Sequence, residues 1–414
     1  MKLSKTSIEL LSFFAKNKNV NHGKITKQTE QILLEIYGDI MASYKHLLAS
    51  VKNGAYFKRT VKKLSTPAHI SYPKNFSALS FPESVRNYIN ELSGTELTYT
   101  FSLHGRSVTI HFIVEERVDE LDISAYDKYV DTIVMWLYIL NKHASKKCSH
   151  KLTLYFYFTS LEKKLPLSNE HIIDEINVNT AFTTTCPKDS EIVVFRREEW
   201  LKVFIHETFH NFGLDFSDIN YIDNCILEVF KVNADVRAYE SYTEFWAEIL
   251  NALFCSFFSL KNIDDKDEFL TYSKLFINFE RSYSFFQLEK ALDFMGLDYI
   301  DLYKNTSDSK SLRERLYKEK TSVLSYYVLK TVLMNNYQGF LSWCKTYNFS
   351  LFQFSKTMDS QREFCRFIVD NYKSKSMLSG VAESRKFLNK LKKRRINVSD
   401  YVLSNFRMSI CELG

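Results

Sequence analysis

Proline is absent after Pro187 and histidine after His210, although the chain runs on to Gly414. Proline removes a backbone donor and breaks helix interiors. A second part without it, and with few glycines, is therefore free to be helical throughout. The five prolines and ten histidines all lie at or before His210. That asymmetry predicts an α+β chain whose first part is mixed and whose last part is all-helical. Paired cysteines are lacking too: the seven thiols (Cys148, Cys186, Cys225, Cys255, Cys344, Cys365, Cys411) are odd in number, scattered and contain no CxxC. Neither a zinc knuckle nor a disulfide framework is expected from that spacing. The longest apolar runs, 133–140 and 249–260, are too short or too interrupted to span a bilayer. Near the start, Ile8, Leu10, Leu11, Phe13 and Phe14 fall at helical spacing without the apolar core and cleavage site of a signal peptide. These absences predict a soluble protein of a reducing, cytoplasmic compartment, with no membrane insertion. The wealth of Lys, Ile, Phe, Tyr and Ser suits an AT-rich genome; in the viral case, host cytoplasm or virion is the expected place.

What is present is a packed globular composition, 45% hydrophobic and 15% aromatic. Net charge is +6, but the lysines are scattered, so nucleic acid is not an indicated partner. The densest basic cluster, Lys390 to Arg395, reads as a solvated helix end, with a phosphate-contacting or nuclear-import role as the sharper alternative. Residues 1–64 read as two or three amphipathic helices, 28–52 being the clearest, and 65–80, with two prolines and several serines, as a linker. Residues 96–103 and 107–114 alternate as a hairpin around His104-Gly105-Arg106. An apolar helix covers 124–143, and strands are expected at 151–159, 177–185 and 191–195. The expected units are an N-terminal helical region at 1–64, a sheet-bearing subdomain at 65–215 and a helical subdomain at 216–414.

His206-Glu207-Thr208-Phe209-His210 reads as HExxH. On a helix the two histidines lie one turn apart on one face, so both imidazoles can reach a single metal ion. Glu207 projects beside it as a candidate general base. A catalytic zinc takes three protein ligands and leaves a fourth position open. The metzincin continuation HExxHxxGxxH fails: Gly213 stands where its glycine belongs, but Phe216 holds the place of its third histidine. Asp215 and Asp218 fall off that register and read as turn residues after a Gly213 helix cap. The third ligand is therefore an acid further on.

Tyr242-Thr243-Glu244-Phe245-Trp246-Ala247-Glu248 places two carboxylates four residues apart. Here the chain resembles the gluzincins, HExxH zinc peptidases whose third ligand is a glutamate followed four residues later by an acid that holds a ligand histidine. The resemblance implies Glu244 as ligand and Glu248 as the histidine's partner; Glu228, Glu240 and Glu248 are the other acids that could ligate. The string Glu244 to Glu248 is similar to the glutamate helix of the anthrax lethal-factor family of catalytic domains. That family carries a tyrosine seven residues before its ligand glutamate. Arg237 stands there in this chain, with Tyr239 and Tyr242 nearby. The resemblance covers about 151–260 and implies a zincin-like fold, in which a small mixed sheet packs on the HExxH helix and an edge strand borders the cleft. Asn179-Thr180-Ala181-Phe182 resembles the Asn-Ala-Phe edge segment of thermolysin-like peptidases with one residue inserted, which implies a substrate-binding strand. Cys186, just beyond it, reads as a partly buried free thiol, with a zinc-ligating latency switch as the alternative.

The resemblance implies one zinc ion per chain and hydrolysis of a protein or peptide substrate. Glu207 is then the base, and Tyr326, Tyr327, Tyr239, Tyr242 or Arg237 donates to the developing oxyanion. The alternative is a structural or virion-associated protein that keeps a zincin fold with little or no turnover.

Overall fold

The computed structural model describes residues 1–18, 20, 23–54, 56–393 and 400–414. In chain order the elements are α1 (Lys5–Asn17), α2 (Lys27–Lys52), β1 (Lys58–Lys63), α3 (Glu83–Leu92), β2 (Thr95–Leu103), β3 (Arg106–Val114), α4 (Ile123–Leu140), β4 (Lys151–Phe158), α5 (Glu175–Val178), β5 (Ala181–Thr183) and β6 (Asp189–Val194). Helices follow: α6 (Trp200–Asn211), α7 (Tyr221–Val229), α8 (Ala238–Ser259), α9 (Lys266–Met295), α10 (Ser307–Leu316), α11 (Lys330–Asn335), α12 (Tyr337–Tyr347), α13 (Met358–Asn371), α14 (Lys375–Lys393) and α15 (Asp400–Ser404). A π-helical turn, Leu324–Leu329, runs directly into α11. The class is α+β, as expected, with every strand of the sheet before α6.

The six strands form one mixed sheet in the order β1-β2-β3-β4-β6-β5. The β2–β3 hairpin turns through His104 and Gly105, both at positive φ (49° and 78°), as a two-residue turn requires. Strands β3, β4 and β6 are parallel, and β5 is added antiparallel at the edge. Parallel strands are buried on both faces, which explains the nearly unbroken apolar run of β4. Leu154, Phe156 and Phe158 join the main core beneath α4 and α6, while Tyr155 and Tyr157 face a second cluster under α3. The main core runs without a break from Leu10 in α1 to Leu413.

Three expectations change. Residues 58–63 form a strand, not helix; all six are exposed, so no buried face marks the pattern, and lysines guard this sheet edge. The stretch 65–80 does not run free as a linker but lies across the sheet, where main-chain N–H groups of Lys74 and Asn75 donate to the buried Glu191 at 2.8–3.0 Å. The strand expected over 177–185 shrinks to three residues, because Asp174 caps a helical turn at Glu175–Val178. The basic cluster begins at the end of α14, and its Arg394 and Arg395 lie outside the described residues.

The cysteine reading is also corrected. Cys148 and Cys186 form a disulfide across 38 residues, so Cys186 is not a free thiol and cannot serve as a latency switch. It binds the loop before β4 to the loop after β5. The bond removes the ground on which the cysteines pointed to a reducing compartment. No helix among the described residues is long and apolar enough to cross a membrane.

Candidate metal centre

Two helices make the site. The sheet side of α6 is anchored by Phe204 against Phe156, and Thr208 accepts the indole N–H of Trp136 on α4 at 2.8 Å. This turns Lys202, His206 and His210, spaced four residues apart, toward α8. Gly213 then ends the helix at φ 67°, and a side chain there would meet the Cys148–Cys186 bridge at 3.6 Å. Helix α8 is buried on all sides and presents Glu240, Glu244 and Glu248 at the same four-residue step. Basic and acidic groups thus interleave along one buried seam.

Three ligand atoms converge there: Nε2 of His206, Nε2 of His210 and Oε2 of Glu240. The two nitrogens are 3.0 Å apart, and the carboxylate oxygen lies 3.1 and 3.3 Å from them. A tetrahedral ion with bonds of about 2.0–2.1 Å holds its ligands about 3.3 Å apart, so the spacing suits one. The other ring nitrogens are taken by carboxylates. Nδ1 of His206 is 2.9 Å from Glu244 Oε2, and Nδ1 of His210 is hydrogen-bonded to the Asp215 carboxylate. Each Nδ1 then donates its proton outward, which leaves two Nε2 lone pairs and a carboxylate oxygen facing one another. Three acceptors packed this closely require a cation or protons between them.

The electrostatics agree. Burial works against charge on His210, yet Glu240 and Asp215 raise its pKa well above the usual imidazole range. His206 is likewise raised, by its bonds to Glu240 and Glu244 against the cost of burial. Burial alone would raise the Glu240 carboxyl, but the two histidines hold it well below the usual range. Glu207 differs: burial pushes its carboxyl up, and among the described residues no hydrogen bond holds it.

Glu244 is therefore not placed as the third ligand. Its carboxylate is divided between His206 Nδ1 and Lys202 Nζ, the latter at 2.6 Å, and Glu240, one turn earlier, reaches between the Nε2 atoms. Glu248, expected to hold a histidine, instead pairs with Lys330 at 2.5 Å. The carboxylates that face the histidines thus lie one helical turn nearer the start of α8 than expected: Glu240 between the Nε2 atoms and Glu244 on His206 Nδ1. Glu228 is exposed on α7, away from the group. Asp215, read as a turn residue, does both jobs: Oδ1 accepts from Ser217 while Oδ2 holds His210. Asp218 pairs with Lys356 at the surface.

The two tyrosines of the π-helical turn separate. The Tyr326 ring lies 5.9 Å from that of His206 and lines both the cavity beside Glu240 and the one beside Glu207. Tyr327 points the other way; its hydroxyl donates to the Phe406 carbonyl and its ring stacks on Phe406, so it cannot touch a substrate here. Tyr242 is similarly spent on the Phe352 carbonyl. Tyr239 stands edge-on to His210 at 5.6 Å, and Arg237 lines a cavity of about 200 Å³ beside Glu240 and Tyr326.

The expected substrate strand is split as well. Asn179, Thr180 and Ala181 border a small cavity of about 30 Å³ with His206, Glu207 and Lys202. Phe182 faces the opposite side of the sheet, against Phe76 and Phe81. The Asn179 side chain accepts from the Thr321 hydroxyl at 2.8 Å, and Lys320 N–H donates to the Ile173 carbonyl, so the two sides of the cleft touch above the site. Neither Lys202 nor Asp215 was singled out as a site residue from sequence. The sign of Lys202 was its position four residues before His206; Asp215 carried none beyond its nearness to His210. Among known proteins, no family model, curated protein or solved structure matches this chain.

Proposed function

We propose that the chain is a zinc-dependent metallopeptidase with His206, His210 and Glu240 as ligands, a variant of the gluzincin arrangement. The observation that carries this reading is the meeting of three acceptor atoms within 3.3 Å, each histidine backed by its own carboxylate. Two imidazoles and a carboxylate are a donor set that suits zinc. Zinc held there would lower the pKa of a water and polarise a carbonyl.

The remaining steps belong to the chain. Glu207, whose carboxyl pKa burial raises above the ordinary carboxylate value, takes the proton from the attacking water and delivers it to the leaving amine. Tyr326 offers its hydroxyl to the carbonyl oxygen as charge develops. The main chain around Asn179 to Ala181, at the sheet edge, is disposed to pair with an extended peptide. The direct test is cleavage of a peptide library. Turnover by the native protein and its fall by two orders of magnitude or more in Glu207→Gln supports the reading; cleavage unchanged in that variant defeats the mechanism.

One observation favours the second reading, a structural or virion-associated protein without turnover. His206 and Glu207 are only 6% and 7% exposed, beneath the Asn179–Thr321 contact. A zinc-loaded protein that cleaves nothing in the library would be this second kind.

A further inference from the structure

Lys202 is 2% exposed and lies one helical turn before His206, on the face of α6 that meets α8. Its Nζ is 2.6 Å from Oε1 of Glu244, while Oε2 of the same carboxylate is 2.9 Å from His206 Nδ1. The next acid, Glu199, is 3.9 Å away, and the Met408 sulfur 3.8 Å. A lysine that merely neutralised an acid between two helices would need no further partner for that acid. Here each oxygen of one buried carboxylate is committed to a different donor on the same helix face. Those two commitments define the plane of the carboxylate, and the plane defines the direction in which the His206 ring is pulled.

We propose that Lys202 is a positioning residue: acting through Glu244, it orients His206 and thereby sets the affinity of the centre for its metal. The proposal rests on the metal reading above and goes beyond it, since nothing in that reading requires a cation in the layer behind the ligands. Without Lys202, Glu244 Oε1 is buried with no donor, and the carboxylate is free to turn toward water entering the small cavity that it lines with Lys202. The ring it steadies then loses its fixed direction. Loss of such a supporting contact lowers metal affinity about 10- to 100-fold.

The test is a double-mutant comparison read as zinc affinity, measured by competition with a coloured chelator, together with the visible spectrum of the cobalt-loaded protein. The native chain should bind one ion. Lys202→Met should bind about 10- to 100-fold more weakly with an altered cobalt spectrum. In a Glu244→Gln background the same change should do nothing further, because its route to His206 is already cut. A lysine with a purely structural role would lower the melting temperature and leave the affinity of the folded protein unmoved. Should Lys202→Met fail to fold, Lys202→Gln, which keeps a donor but no charge, is read in the native and the Glu244→Gln backgrounds. Weaker zinc binding in the native background alone supports the proposal, and an equal loss in both, or none in the native background, overturns it. Native affinity in Lys202→Met overturns it too, while leaving the metal reading intact. A native chain that binds neither zinc nor cobalt instead removes the metal reading, and the proposal with it.

Discussion

At the scale of single residues, what a histidine becomes depends on what its second nitrogen meets. His206 and His210 each have a carboxylate behind them, which raises their pKa in the absence of metal and directs the other nitrogen inward. His143 is half-buried against the ring of Phe352, 4.3 Å away, with only the Ser350 hydroxyl on its Nδ1. Burial lowers its pKa to about 4. The unfolded chain binds this proton near pH 6.5 and the folded chain does not until about pH 4. Stability from this group is therefore full above pH 6.5 and is lost as the pH falls toward 4. Its size is at most about 3 kcal/mol, less whatever residual solvent screens. In urea unfolding at pH 7 and pH 4.5, His143→Phe should lose less stability on acidification than the native chain; equal losses would contradict the burial argument. The pairing of His206 and His210 was legible in sequence because their four-residue spacing puts both on one face. The third member of the group, Glu240, was not. Glu240, Glu244 and Glu248 form a ladder in which two successive pairs satisfy the ligand-plus-partner pattern. Only the placement of α8 against α6 chooses between them.

At the scale of elements, the hairpin, β4, β6 and α4 followed from periodicity and turn chemistry, since each has one clear buried face or a continuous apolar run. Strand β1 has no buried residue to announce it, and β5 is too short to outweigh the cap at Asp174. The Cys148–Cys186 bond was hidden for another reason: its partners are 38 residues apart and meet only once the sheet is assembled. It sits where the loop after β5 meets the end of α6, beside Gly213. Asn211 extends the same junction, donating to the Thr183 hydroxyl and accepting from Ser149. Closing a loop of that length stabilises by about 4 kcal/mol in the chain-entropy account. Cys148→Ser/Cys186→Ser should therefore unfold at clearly lower denaturant, and peptide mapping of the native protein under non-reducing conditions should recover the linked pair. Two alkylatable thiols at these positions would contradict the bond.

At the scale of the whole molecule, the end of the chain is part of the interior. Residues 405–413 thread past the site with hardly any exposure, and buried carboxylates receive their backbone. Glu199 accepts from Met408 and Ser409 at 3.0 and 2.6 Å, and Glu280 from Ile410 and Cys411 at 3.0 and 2.8 Å. Ser4 donates to Glu412 and so ties the two ends together. Such donors are required once a carboxylate is buried; stranding one costs about 3–5 kcal/mol. Deleting residues 406–414 should abolish cooperative unfolding, and a deletion that melts like the native protein would show that the tail is dispensable. Nothing in the tail's composition signalled this, because its partners are two glutamates far away in sequence.

The central claim is that His206, His210 and Glu240 hold a metal ion. Its most direct test is metal analysis of the native protein beside Glu240→Ala and Glu244→Ala after equilibration with zinc. The geometry predicts about one zinc per native chain, none retained in Glu240→Ala, and binding kept but weakened in Glu244→Ala. A native chain without zinc, or a Glu240→Ala protein that keeps it, would contradict the assignment.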